Sequence, residues 1–274
     1  MEDGGDDVSG SVSGGNRREH DQPFMRRADM TVKLLLAKGL RKAAQRIDHR
    51  NPPRAAEPRD CPICGYHGGF EPFGVVPRPD AMCPNCNALE RHRQFKLMLD
   101  RIELPGPDSS LLHFAPEAAI TRLVRPLCEK YVTADLMRDD VDLNLNIEAI
   151  DLPDRSFDWV ICSHVLEHVN DIAALGELYR ILKPGGIALL MVPIVEGWET
   201  SYEDSTVTEE SARLLHFGQR DHVRRYGRDF RDRVRQAGFE LNEFVVGGAE
   251  SVRYSIIPGI RIFIAGKPTE KHAN

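Results

Sequence analysis

From Leu111 onward the apolar positions fall in short blocks separated by longer amphipathic stretches. LLHFA (111–115), YVTAD (131–135), FDWVICSHV (157–165) and IALLMVP (187–193) are compact apolar runs. Between them, EAAITRLVRPLCEK (117–130) and DIAALGELYRILK (171–183) repeat their apolar residues every three or four positions. A long polar insert follows, then a helical pattern RDFRDRVRQAG (228–238) and two further runs, EFVVG (243–247) and IRIFIAG (260–266). Continuous apolar strands spaced by amphipathic helices predict βαβ units, a largely parallel sheet covered on both faces. The N-terminal part is patterned differently. Over Met25–Asp48, Val32, Leu36, Leu40, Ala43 and Ile47 recur at helical spacing with Lys and Arg on much of the rest. Asn51-Pro52-Pro53 ends that helix and opens a linker.

Charge divides the chain at the same places. The 274 residues carry 36 Lys+Arg and 42 Asp+Glu, a net charge of −6. Residues 1–16 hold four acids and no base, so the acidic, glycine-rich leader (1–24) is expected to be disordered. Residues 17–59 hold 12 basic and 5 acidic residues, which leaves the body acidic. The basic helix and linker (25–59) can dock on their own domain, lie on an anionic membrane surface or contact nucleic acid. No apolar run reaches the roughly 18 residues that span a bilayer. MEDGGDDVSGSVSGG has neither the basic start nor the apolar middle of a secretory signal, and the expected location is cytoplasmic.

Six cysteines are too few for a disulfide scaffold, and four of them are paired. Cys61-Pro62-Ile63-Cys64 and Cys83-Pro84-Asn85-Cys86 are two CxxC knuckles 18 residues apart, the spacing that closes four thiolates around one zinc ion. With all four positions filled by protein the zinc is expected to be structural, a zinc ribbon with its connecting helix over 60–104. Cys128 and Cys162 sit in apolar contexts and read as buried residues.

The remainder, 105–274, is the α/β domain, and ligands of such sheets bind where strands end and helices begin. Asp135 ends the second strand, twenty residues beyond Ala115, the offset at which an acid takes the hydroxyls of a bound ribose. FDWVICSHVLEHVNDIAALGELYRILKPGG (157–186) resembles the class I S-adenosylmethionine-dependent methyltransferases, in particular the group that shares the LEH…LKPGG pattern. CPNCNALERHR, LHFAPE, the insert with YED, and FGQRDHVRRYG are similar to a bacterial subgroup that joins a zinc ribbon to this fold. The resemblance implies a Rossmann-like fold with a mostly parallel seven-stranded sheet, helices on both faces, and S-adenosyl-L-methionine as cofactor. It implies that Ala115, Pro116 and Glu117 approach the methionine part, with Glu117 attracting the ammonium. Asp135 would bind the ribose, Asn146 and Ile147 would flank adenine, and Ser163 and His164 would line the floor beneath the sulfonium. Two positions depart from the family pattern: Ala-Pro-Glu stands where most members have a glycine-rich loop, and Asn146 where many have Asp.

The acceptor is expected at the insert (about 196–228), because the shared core serves the cofactor. Glu196–Glu210 carries six acids and no base, Arg213–Arg235 eight Arg and three Asp. These halves can pair with one another, or Trp198, Tyr202 and Tyr226 can serve as platforms for a sugar or base, with His216, Asp221 and His222 near the methyl. A sugar hydroxyl needs a base to take its proton, and His164 and His222 are the candidates. Gly185-Gly186 reads as a turn, Glu167 as a surface acid, His168 as a helix-face residue. Three functions remain open. One is O-methylation of a small-molecule or glycan hydroxyl, and the second is RNA methylation in which the zinc ribbon, followed by Arg91, His92 and Arg93, and the basic leader grip phosphates. The third is a non-enzymatic adaptor on a decayed fold.

Overall fold

The computed structural model describes residues 57–74 and 76–269. The expected acidic leader and basic helix lie outside the described residues. The described residues fall in one compact unit, so the cysteine-rich module and the sheet belong to the same body.

The module is built from two small hairpins, β1 (Arg59–Asp60) with β2 (His67–Gly68) and β3 (Glu71–Phe73) with β4 (Arg78–Met82). Helix α1 (Glu90–Leu99) leaves it and joins it to the larger domain. There β5 (Ser110–Phe114), α2 (Ala118–Val124), β6 (Lys130–Asp135), β7 (Leu143–Asn144), β8 (Phe157–Ser163), α3 (Asp171–Ile181) and β9 (Leu182–Met191) follow in order. The insert contributes β10 (Tyr202–Glu203), α4 (Glu210–Phe217) and β11 (Arg224–Arg225). The chain ends with α5 (Phe230–Gln236), β12 (Glu240–Phe244), α6 (Gly248–Arg253) and β13 (Ile262–Gly266).

Seven strands form the central sheet in the order β12-β13-β9-β8-β5-β6-β7. All neighbours are parallel except β13, which runs antiparallel to both β9 and β12. This is the Rossmann-like methyltransferase fold, and its strand order reverses at β5 and β8, where a crevice opens beyond the strand ends. Alternate residues of β5 explain the two layers. Leu112 and Phe114 pack with Val160, Leu175 and Leu190 on one face, Leu111 with Trp159, Ile161 and Phe95 of α1 on the other. Helix α1 therefore packs Phe95 and Met98 on one face of the sheet, while Glu90 in its first turn pairs with Arg78 of the cysteine module. Two helices in polar sequence, α4 and α6, were not foreseen, because neither presents a broad apolar stripe.

Candidate active site and metal centre

The four cysteine sulfurs converge. Cys61 Sγ lies 3.6 Å from Cys86 Sγ and Cys64 Sγ 3.7 Å from Cys83 Sγ, and all four lie within 4.8 Å of one another. Zn–S bonds of about 2.3 Å in a tetrahedron require sulfurs about 3.8 Å apart, so the set fits zinc closely. Each knuckle turns on a left-handed residue, Gly65 (φ +73°) and Asn87 (φ +58°), whose N–H donates to Cys61 O and Cys83 O respectively. Burial opposes ionisation of Cys64, yet contacts with Asn85, the Tyr66 backbone and the neighbouring thiols bring it down to about 7. Burial instead raises the thiols of Cys61 and Cys86, so a bound zinc would have to stabilise their ionised form.

At the crevice, two strand ends share an unusual backbone. Ala115 after β5 has φ +46° and His164 after β8 has φ +54°, left-handed conformations that cost non-glycine residues roughly 1–3 kcal/mol and gather at functional sites. Ala115 thus reproduces the bend that a glycine would make, held by its N–H to Ala134 O at 2.8 Å. Asp135 closes β6 beside it. One oxygen of its carboxylate accepts the N–H groups of Met137 (2.8 Å) and Arg138 (3.1 Å), which leaves the other for the hydroxyls of a ribose. The exposed side chains of Leu136 and Met137 follow it and offer an apolar face. Arg138 reaches across to Pro116 O at 2.9 Å and ties the two loops together.

Asn146 is exposed and its side-chain oxygen accepts the Glu148 N–H at 3.0 Å, which sets the turn and still leaves the amide hydrogens outward. Ile147 is buried in the core, so only its backbone can face a ligand. Glu117 has other partners than a ligand's ammonium. It accepts from Arg91 Nε (3.0 Å), from Arg91 Nη2, from His92 Nε2 (2.7 Å) and from Ser163 Oγ (3.1 Å). Because the Leu89 N–H donates to His92 Nδ1 at 3.1 Å, the His92 proton must sit on Nε2, pointing at Glu117. Burial raises the Glu117 pKa, but hydrogen bonds from His92 and Arg91 overcome it and hold the carboxyl well below its usual range. Ser163 therefore serves Glu117 with its side chain.

His164 is turned outward. Its Nδ1 lies 3.1 Å from Glu167 Oε1, so the proton on Nδ1 faces the carboxylate and Nε2 is left as the basic nitrogen. It lines a cavity of about 650 Å³ between α1 and the segments after β9 and α6, with Arg78, Glu90, Gln94, Ile194, Ile257 and Arg261 among the walls. Nothing in local sequence announces this cavity, since Gln94 and Ile260 meet only through the Gln94 Nε2–Ile260 O bond at 2.7 Å, 166 residues apart in the chain. Glu167 is 1% exposed and is no surface acid. His222, expected as the other base, is buried against His168, ring centroids 4.7 Å apart, and does not border the cavity. Burial lowers its pKa.

The insert resolves in favour of pairing. Glu203 meets Arg224 (3.1 Å) and Arg233, Glu196 meets Arg231 (2.8 Å) and Arg261, and Glu199 meets Arg228 (3.1 Å). Tyr226 is no platform: it is fully buried and its hydroxyl donates to Leu166 O (2.9 Å) and Asp171 (3.0 Å). Tyr202 stays partly exposed with its hydroxyl 2.6 Å from His216 Nδ1, and Trp198 is exposed. Arg91, His92 and Arg93 do not form a phosphate grip. Arg93 is fully buried, donating to Ala88 O (2.7 Å), Ala81 O (3.0 Å), Tyr254 O (2.6 Å) and Ser255 O (2.5 Å).

Residues 117–190 match the family described as "Methyltransferase domain". The Escherichia coli O1:K1 / APEC ubiquinone/menaquinone biosynthesis C-methyltransferase UbiE is 40% identical over 62 residues, 21% of this chain and 25% of that protein. The uncharacterized protein MJ0638 of Methanocaldococcus jannaschii is 47% identical over 47 residues, 17% of this chain and 21% of that one. The chain thus spans about a quarter or less of the length of these relatives. Among solved structures, the [4+2]-cyclase SpnF superposes with a TM-score of 0.50 at 17% identity, covering 74% of this chain and 88% of that one. An S-adenosylmethionine dependent methyltransferase from Mesorhizobium loti gives 0.45 at 13% identity, over 64% and 97%. The sheet order and crevice are those of a Rossmann-like methyltransferase fold, and residues 117–190 match a methyltransferase domain. It is fused through α1 to a four-cysteine module with the geometry of a zinc site. A cyclase on the same fold is a reminder that the fold alone does not determine the reaction.

Proposed function

We propose that the protein transfers a methyl group from S-adenosyl-L-methionine to a hydroxyl of a small molecule or glycan unit held in the cavity beside His164. The observation that carries this reading is His164 itself: a strained strand-end residue with one nitrogen tied to a buried carboxylate and the other free at a cavity wall. The cofactor supplies a methyl on a positive sulfur, to which the acceptor oxygen bonds as the carbon–sulfur bond breaks. His164 Nε2 takes the hydroxyl proton, and Glu167 orients the ring and stabilises the imidazolium. Asp135 would hold the ribose, and the bend at Ala115 would bring the chain to the methionine part.

The walls favour a neutral, hydroxylated acceptor over a polyanion. Arg78 is paired with Glu90 (2.7 Å), Arg91 with Glu117 and Arg261 with Glu196, so the cationic walls are already compensated. A nucleic acid would draw on uncompensated cations. The volume lies in the range of ordinary small-ligand sites. Two experiments test the reading. Calorimetric titration with S-adenosyl-L-methionine should show binding, abolished or weakened at least about tenfold in Asp135→Ala. Transfer of labelled methyl should then be screened over polyhydroxylated small molecules, glycans and RNA. His164→Asn should lose about 100-fold or more in kcat with cofactor affinity unchanged. Label appearing only in RNA, or His164→Asn at full activity, would refute the acceptor or the base.

A further inference from the structure

Glu167, His168 and His222 form a second cluster with metal-ligating chemistry, and the methyl-transfer reading uses only one oxygen of it. One carboxylate oxygen of Glu167 and one ring nitrogen each of His168 and His222 all lie within 4.8 Å of one another. Bonds of about 2.0–2.1 Å to a common ion would set such donors roughly 3–4 Å apart, within reach of small side-chain rotations. The cluster is built by tertiary structure. Glu167 and His168 sit on the single 3-10 turn after β8, and the return arm of the insert lies across that turn. Val223 N–H donates to Glu167 O at 3.0 Å, Arg224 Nη1 to Leu166 O at 2.8 Å, and Tyr226 Oη to the same carbonyl. Those bonds carry His222 onto His168.

A second observation points to an occupant. Glu167 Oε1 is engaged by His164, but Glu167 Oε2 is buried and has no hydrogen-bond partner. Leaving a carboxylate oxygen desolvated and unpaired costs about 1–3 kcal/mol or more, and a bound cation is the direct compensation. Further donors stand at the edge. Asp221 Oδ2 lies 3.3 Å from His168 Nδ1, and the Gln219 side-chain amide lies 2.6 Å from His222 Nε2. A carboxylate against a ligand imidazole is the usual means of orienting it. Asp221 is largely exposed and His168 partly so, which leaves a way in from solvent.

We propose that Glu167, His168 and His222 bind a divalent first-row transition-metal ion at a site distinct from the four cysteines. Imidazole and carboxylate donors suit zinc, cobalt, nickel or iron, whereas magnesium and calcium prefer all-oxygen shells. The bound ion pins residues 218–225 of the insert to the turn that carries His164, one carboxylate away from it.

The two sites differ in donor type, and cobalt distinguishes them. Full-length protein is stripped of metal, then titrated with Co²⁺ while absorbance is recorded. Two equivalents are expected, one with intense thiolate-to-cobalt charge transfer and one with weak ligand-field bands only. Glu167→Gln and His222→Gln should each lose the second equivalent and keep the first, whose thiolate bands also report that the variant is folded. Wild-type protein that takes up a single equivalent overturns the proposal. So does a second equivalent that survives in both variants, which would locate it at other histidines. Neither readout involves S-adenosyl-L-methionine, so this result stands or falls apart from methyl transfer.

Discussion

Glu117 and Glu167 follow neighbouring parallel strands, each just beyond a left-handed residue, and their carboxylates have opposite fates. Glu117 is saturated by Arg91, His92 and Ser163 and acts as a joint between helix α1 and the sheet. Glu167 has one oxygen on His164 and the other facing no donor. A buried carboxylate with every lone pair answered is structural, because its energy is spent within the fold. One that is half answered keeps capacity for a proton relay or an ion.

The largest test of this contrast acts from the cysteine module. Cys86→Ser, or stripping zinc, should cost on the order of 10 kcal/mol of metal-linked folding free energy and release α1 from the module. Zinc content with denaturant unfolding measures it. Arg91 and His92 would then lose their fixed approach to Glu117. Unchanged unfolding in zinc-free protein would mean that α1 is held by the sheet alone. Next in size, Glu117→Gln leaves Arg91 facing a neutral amide and should destabilise by about 3 kcal/mol, at the lower end for broken buried pairs because part of the site is open to solvent. With no metal at Glu167, His168 and His222, the same change in Glu167 should shift stability by less than about 1 kcal/mol, since only one of its oxygens is hydrogen-bonded. Equal losses in the two variants would abolish the distinction.

Acid unfolding sharpens it further. His113, fully buried in β5 with Nδ1 2.8 Å from the Tyr131 hydroxyl, has its pKa lowered to about 4, chiefly by burial. The unfolded chain, with a histidine near 6.5, binds that proton first, so stability is intact above about pH 6.5 and falls by about 3 kcal/mol on the way to pH 4. Glu117, whose pKa is depressed, contributes above the unfolded carboxylate pKa of about 4.3 and loses its contribution only as pH falls below it. Two successive acid losses are expected. His113→Asn should flatten the upper one and Glu117→Gln the lower, read from unfolding free energies between pH 7 and pH 3.

Much was legible before the structure. Strands β5, β8 and the second half of β9 are apolar runs buried on both faces, so composition and length suffice to mark them, whereas β6 is mostly half-buried. The four cysteines declare a metal site by spacing, and the offset from Ala115 puts Asp135 at the end of β6, where one carboxylate oxygen caps the turn that follows. Tyr226 was misread as a platform because a tyrosine among arginines looks like a surface residue. Its burial depends on Leu166 and Asp171 from a separate segment.

Local pattern, then, determined the α/β class, the cysteine knuckles and the chain order of the site loops, since periodicity and spacing act over a few residues. Tertiary structure decided which carboxylate is saturated, where the cavity beside His164 lies and that His222 meets His168. Those outcomes turn on contacts such as Arg93 with Tyr254 and Gln94 with Ile260, between residues 161 and 166 positions apart, whose pairing no local signal encodes. Only the packed sheet brings them within hydrogen-bond reach.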